Sequence, residues 1–367
     1  MNKPIIKIGS FQLYCIFLQA QFGSSILSIA NQLNDTSGTS AWMACLIGGG
    51  INMVFIYFIW LLVTKAPQSN VFQMIMQRFG NIGGRFLLFI LSVLYGIFAY
   101  IILTNWIFTT NAWAYERTPA WMLGFIFIAL CTYLTIKPIS VYARFAVFAT
   151  FFTPLFIIFA IYTMKDSNIY NVLPILDASP LNLLHGSFLV LWALAGIEIM
   201  LVLPRYVQHL GAKKVLRIAM LSNGTTAVLY TFCVFASMIV FGTEMITYIR
   251  EPLLYQMKAI SFDIIERIDL IIISVWILFV MSSFCSYFIL FVSSIAAMFK
   301  KKEEAPMGIV VCCGGILFIA SLYEVDVDML SFIQQYIDQT LTAVSLVILI
   351  IILFMIKLIG MKGIRKS

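Results

Sequence analysis

The feature that most constrains this chain is a series of long apolar runs that no charge interrupts, of which Leu341–Ile356 is one. A helix rises 1.5 Å per residue, so about 20 apolar residues cross the hydrocarbon core of a bilayer. Strands of a membrane barrel would alternate apolar and polar over about 10 residues, and these runs are continuous, which excludes a barrel. Composition points the same way. The 367 residues are 62% hydrophobic and 11% charged, with mean hydropathy +1.00, whereas soluble domains carry about 25% charged residues. Too little polar surface remains to cover a water-soluble shape. The runs predict an all-α polytopic membrane protein of about ten transmembrane helices: Ile8–Ala30, Ala41–Val63, Phe86–Thr109, Ala120–Ile136, Phe145–Met164, Leu184–Leu203, Met220–Phe241, Leu270–Met298, Gly308–Leu322 and Leu341–Leu358. The connections around Lys65–Arg85, Lys165–Leu183 and Gly242–Asp269 are long enough to hold short helices or re-entrant pieces.

Charge placement sets the expected orientation. With the N-terminus in the cytoplasm, 18 of the 23 Lys and Arg fall on cytoplasmic segments, and 13 of the 16 acids fall outside. An even number of spans then puts both termini in the cytoplasm. The net charge of +7 is explained by a basic rim facing anionic lipid, with no nucleic-acid partner required. The seven Cys lie in apolar runs, form no CxxC pair and have only two His for company, so no metal or other cofactor is expected. The N-terminal apolar stretch contains Gln12, Gln19 and Gln21 and lacks a small-residue cleavage site, so it reads as a span rather than a removable signal. No phosphate loop, nucleophile elbow or HExxH motif supports an enzyme.

Two spans carry weak points near mid-membrane. The first contains Gln21, Gly23, Ser24 and Ser25; the sixth contains Ala193, Gly196 and Glu198. Small residues there serve helix packing in many membrane proteins. Their spacing of five spans, however, matches a transporter built from two inverted five-helix repeats with broken first and sixth helices, the LeuT-like fold. The repeats would cover 1–164 and 183–360 within one transmembrane domain. Glu198 is the one acid deep in a span; it reads either as a ligand or switch group or as a packing hydrogen bond. Tyr95 and Tyr287 are weaker cavity candidates. Ahead of the eighth span, Pro252 kinks or starts a surface helix, and Glu266, Arg267 and Asp269 fall within one helical turn. Together with Pro252 these three are structural or coupling candidates: Arg267 is placed to pair with either acid or with a partner chain, and on physical grounds alone a charged collar at the membrane surface is the favoured reading.

Three stretches carry a resemblance: Phe11-Gln12 through Gly23-Ser24-Ser25-Ile26-Leu27; Ala195-Gly196-Ile197-Glu198 followed by Leu203-Pro204; and Pro252, Glu266-Arg267-Ile268-Asp269 and Trp276. The chain resembles the spore germination permease family, the B subunit of the tripartite germinant receptors, within the amino acid–polyamine–organocation transporter superfamily. It departs from that family in having Ser28-Ile29-Ala30-Asn31 after the first-helix glycine, Ser25 for a second glycine and Ala195 for a serine. The resemblance implies a sensor in the spore inner membrane, its termini on the core side. That sensor would bind a nutrient germinant, often an amino acid, and act with a membrane A subunit and a lipoprotein C subunit. Its pocket would use Gly23, Ser24, Ser25, Ala193, Gly196 and Glu198, with Tyr95 and Tyr287. The alternatives are an amino acid transporter coupled to H⁺ or Na⁺, with Glu198 as the coupling site, and a scaffold that binds no ligand.

Overall fold

A computed structural model describes residues 7–66, 69–165, 167–260, 267–299, 305–323, 329, 332–333 and 337–364. Among them the chain is helical, with no strand. The helices in order are α1 (Ser10–Gln21), α2 (Ile29–Ser37), α3 (Ala41–Val63), α4 (Val71–Trp113), α5 (Ala120–Ile136), α6 (Ile139–Phe151), α7 (Thr153–Thr163), α8 (Pro180–Ala193), α9 (Pro204–Val207), α10 (Ala212–Ile246), α11 (Pro252–Lys258), α12 (Ile268–Met298), α13 (Met307–Ser321) and α14 (Asp338–Ile364). Among the described residues, five stretches are long and apolar enough to cross a membrane: Ile29–Val63, Val71–Trp113, Ile139–Thr163, Ala212–Ile246 and Ile268–Met298. Shorter apolar helices flank them.

Local chemistry explains the boundaries. Asn70 caps α4 by accepting the Gln73 N–H at 2.8 Å, and Pro252 opens α11, where its missing N–H costs nothing. The connection ahead of the third expected span is itself helical: Val71 starts α4, which bends at Gly80 (φ 71°) before continuing to Trp113. The fifth expected span is two helices, α6 and α7, which meet at Phe152, two residues before Pro154. A proline inside a helix cannot donate to the preceding turn, which forces the break. The connection between α7 and α8 is held down by Thr39 and Ser40, whose hydroxyls bond Pro174 O (2.5 Å) and Ile175 O (3.2 Å).

α12 is the most buried of the long stretches and packs along α4, while α3 packs on α8 and α10. Large apolar side chains such as Phe86, Phe125, Phe151, Leu181, Leu221 and Ile319 point outward and are exposed. In water such a surface would be an aggregation liability; in a bilayer it is the lipid-facing side of a multi-pass membrane protein.

Candidate functional site

α1 ends at Gln21, a 3-10 turn spans Ser24–Leu27, and α2 resumes at Ile29. α8 ends at Ala193, a 3-10 turn spans Ile197–Leu201, and α9 begins at Pro204. These two interruptions touch. Gly196 adopts φ 123°, and a Cβ there would collide with the Ala20 carbonyl. A Cβ on Gly23 would lie 2.6 Å from Ser283 Cβ and Oγ. Glycine at both positions is therefore a requirement of close approach, and at Gly196 also of backbone conformation.

Ending a helix in an apolar interior frees backbone groups that must find partners. At the α1 break they are supplied by other helices. Ser283 on α12 donates to Ala20 O at 3.1 Å, Tyr230 on α10 donates to Gln21 O at 3.1 Å, and the Trp276 indole on α12 donates to Gly23 O at 3.2 Å. At the α8 break, Leu194 O accepts from Gln21 Nε2 at 2.7 Å and from Asn52 Nδ2 at 3.3 Å. Asn223 completes this amide cluster: its Oδ1 accepts from Gln21 and Asn52, and its Nδ2 donates to Gly49 O at 2.9 Å. The Gly196 N–H is capped by the carboxyl of Glu198, two residues on, at 2.8 Å.

Between the breaks lies a cavity of about 20 Å³, lined by Gln21, Gly23, Ser24, Ser25, Ile102, Trp192, Ala193, Ala195, Ser283 and Tyr287. A second space of about 10 Å³ adjoins it, sharing Ser24, Ser25 and Trp192 and reaching Ser28, Gln32 and Asn105. Each has room for about one water. Trp192 is the wall common to both. It stacks on Phe98 at 5.2 Å, Phe98 stacks on Tyr287 at 4.9 Å, and Tyr287 meets Tyr95 at 6.4 Å.

The expected site residues therefore divide. Gly23, Ser24, Ser25, Ala193 and Tyr287 line the cavity. Gly196 and Glu198 stand behind it as turn and cap, and Tyr95 stands behind Tyr287 with its hydroxyl buried and unpartnered. Trp192, Ser283, Asn52 and Asn223 join the site only in the structure, the two asparagines through their amide cluster with Gln21. A lone amide inside an apolar run, as at Asn52 and Asn223, is the signal that marks such a cluster.

Pro252, Arg267 and Asp269 lie away from the cavity, and Glu266 lies outside the described residues. Arg267 grips Asp269 with two hydrogen bonds, at 3.1 and 2.7 Å, at the start of α12. Beside Pro252, in the loop after α10, Arg250 pairs with Glu251 at 3.2 Å. Burial raises the Glu251 carboxyl above its usual range while the Arg250 charge opposes the shift, and burial lowers Arg250.

Residues 7–329 match the family model described as spore germination protein. The chain belongs to this family. It is 26% identical over 368 aligned positions to spore germination protein A2 of Bacillus subtilis strain 168, covering 96% of this chain and 95% of that one. It is 21% identical over 275 residues to spore germination protein GerQB of Bacillus cereus, covering 75% and 76%. Among solved structures, the substrate-bound, outward-open form of a Na⁺-coupled sialic acid symporter superposes with TM-score 0.66 at 13% identity, covering 91% of this chain and 77% of the symporter. Mhp1, a nucleobase-cation-symport-1 family transporter in a closed conformation, gives TM-score 0.62 at 14% identity, covering 89% and 74%. At such identities the likeness is one of fold: this germination protein has a LeuT-like transporter architecture.

Proposed function

We propose that this germination protein is the nutrient-sensing B subunit of a germinant receptor, with its ligand, an amino acid, held where the interrupted α1 and α8 meet. The observation that carries the reading is the contact between the two breaks around one polar-walled cavity. Half-helix ends suit the charged amino and carboxyl groups of such a ligand. A volume of about 20 Å³ does not admit an amino acid. Binding therefore requires Trp192 to swing out of the wall that divides the two spaces, and this displacement is the signal. The bound nutrient favours the open arrangement by its differential affinity for it. The arrangement rests on ten crossings in two inverted repeats, 1–164 and 183–360, with both termini on the core side of the spore inner membrane. A membrane A subunit and a lipoprotein C subunit read the change, and the chain is not an enzyme.

The alternative, an H⁺- or Na⁺-coupled amino acid transporter, has less support. In transporters of this kind the carbonyls freed at a break coordinate the coupling ion. Here Ala20 O, Gln21 O and Gly23 O each accept a protein O–H or N–H instead. Glu198, the other coupling candidate, is engaged with Gly196.

Spores carrying Gly23→Ala or Glu198→Gln, assayed against a panel of single amino acids and nucleosides with immunoblotting for subunit level, test the sensor reading. A raised threshold for one nutrient at normal abundance supports it. Unchanged thresholds would move sensing to a partner subunit. Solute flux in vesicles containing this chain alone would favour the transporter.

A further inference from the structure

A larger space than the central cavity lies at the end of the bundle where α4 begins and α5 and α12 end. It measures about 100 Å³, against about 20 Å³ between the breaks. Its charged lining residues are Arg205 on α9 and Lys137 at the α5–α6 turn, and no carboxylate lines it among the described residues. Arg205 Nε is buried without an acceptor, and neither ion pair among the described residues involves this guanidinium. Thr135 Oγ1, on the same lining, is also buried and unpartnered. Asn70 and Tyr142 add polar groups to the wall.

Basic residues at this end follow from the charge bias of membrane topology, and most of them need only water and lipid headgroups. Arg205 differs because it is half-buried in the wall of the chamber, its guanidinium over the Tyr206 ring at 5.4 Å and its Nε shut off from water without an acceptor. A buried donor without an acceptor is unfavourable, and a planar guanidinium matches the oxygens of carboxylate and phosphate. Lys137 is exposed at the rim, its ammonium over the Tyr133 ring at 4.6 Å, where it adds charge without closing the chamber.

We infer that this vestibule is a second binding site, for a small anion of the carboxylate or phosphate class, held by Arg205 with Lys137 at its mouth. Its position gives the anion leverage over the breaks. Arg205 stands just past the interruption of α8, and the neighbouring Tyr206 O accepts the Ile8 N–H at 3.1 Å, which ties α9 to the lead-in of α1. An anion on Arg205 therefore fastens one end of both interrupted helices. It stabilises whichever arrangement of the breaks keeps the chamber intact. The site is independent of the nutrient reading, since it uses none of the residues around the central cavity.

The test is the thermal unfolding midpoint of the purified full chain in detergent, titrated with inorganic phosphate and separately with acetate, against sodium chloride at matched ionic strength. A parallel arm compares dioctanoyl phosphatidylglycerol with dioctanoyl phosphatidylcholine. The expected result is a saturable rise in midpoint, with the half-saturating concentration shifted at least tenfold by Arg205→Gln, less by Arg205→Lys, and not at all by Arg217→Gln, a basic residue of α10 outside the chamber. Response to the anionic lipid alone, lost in Arg205→Gln, would keep the site and identify its occupant as a headgroup. No saturable response of the wild type to any probe would overturn the inference. So would equal effects of the Arg205 and Arg217 substitutions. If Arg205→Gln does not fold, the wild-type titrations and Arg205→Lys still decide.

Discussion

The two helix breaks solve the same problem in different ways. At the α1 break, three freed carbonyls are met by side chains from other helices: Ser283, Tyr230 and Trp276. At the α8 break, the freed N–H of Gly196 is met by a carboxyl two residues further along the same strand of chain. The first break is bolted to the body of the bundle, so it moves only if α10 and α12 move with it. The second meets its freed N–H locally and, among the described residues, is hydrogen-bonded to other helices only through Leu194 O, which accepts from Gln21 and Asn52. On the proposed sensor reading, that contrast puts the moving part on the α8 side, where Trp192 is the penultimate residue of the helix and walls the cavity.

Substitutions at the breaks sharpen or dissolve this contrast. The largest effect is expected from Gly196→Ala. A non-glycine residue at this φ costs about 1–3 kcal/mol, and the new methyl meets backbone rather than a side chain that yields. The chain should be lost from membranes by immunoblot. Normal levels would mean the two breaks are not pressed together. Gly23→Ala comes next. A Cβ there would meet Ser283 Cβ and Oγ at 2.6 Å, so the clash with Ser283 is the part of the effect that a second substitution can relieve. We expect a germination threshold raised about tenfold, equivalent to about 1.4 kcal/mol. Adding Ser283→Gly removes the obstructing atoms and should recover part of the loss. No recovery would place the effect of Gly23 elsewhere.

Glu198→Ala leaves a buried N–H without a partner, at about 1–3 kcal/mol, whereas Glu198→Gln keeps an acceptor oxygen. The alanine variant should therefore unfold at lower temperature than the glutamine variant. Equal and severe losses would show that the charge itself matters and would revive ion coupling. Trp276→Phe removes one donor from the α1 break while two remain, and should lower stability by about 1 kcal/mol without altering nutrient choice. The smallest effect concerns pH. Glu251 binds its proton more tightly in the folded chain than in the unfolded one, because burial raises its carboxyl. Its contribution to stability is present below the unfolded value and fades as pH rises through the folded one. Glu251→Gln should flatten the pH dependence of the unfolding midpoint above about pH 4.3, the ordinary glutamate value. An unchanged profile would mean that Arg250 outweighs burial.

The helical membrane fold was legible because continuous apolar runs such as Leu341–Ile356 admit few other structures. Gly23, Ser24, Ser25 and Ala193 were legible as cavity candidates because small and polar residues stand out in such runs. Glu198 was visible as a buried acid, but not as a local cap. That role depends on the positive φ of Gly196, which turns the Gly196 N–H back toward the carboxyl. Trp192 was hidden because an aromatic residue in an apolar helix is ordinary; its role as a wall exists only once Phe98 and Tyr287 stack beside it. The Gln21–Asn52–Asn223 cluster joins residues from three distant stretches. Asn52 and Asn223 are lone amides in their runs and Gln21 follows Gln19, and only packing makes the three one group.

The most direct measurement is equilibrium binding of the nutrient found in the germination panel to the purified chain, wild type against Ser25→Leu. Leucine at this position fills both small spaces beside Trp192, since Ser25 lines each. A nutrient site between the breaks predicts saturable binding to the wild type and at least a tenfold weaker affinity in the variant, measured well below a midpoint that overpacking lowers. Equal affinity in the two proteins would contradict it and place the nutrient elsewhere.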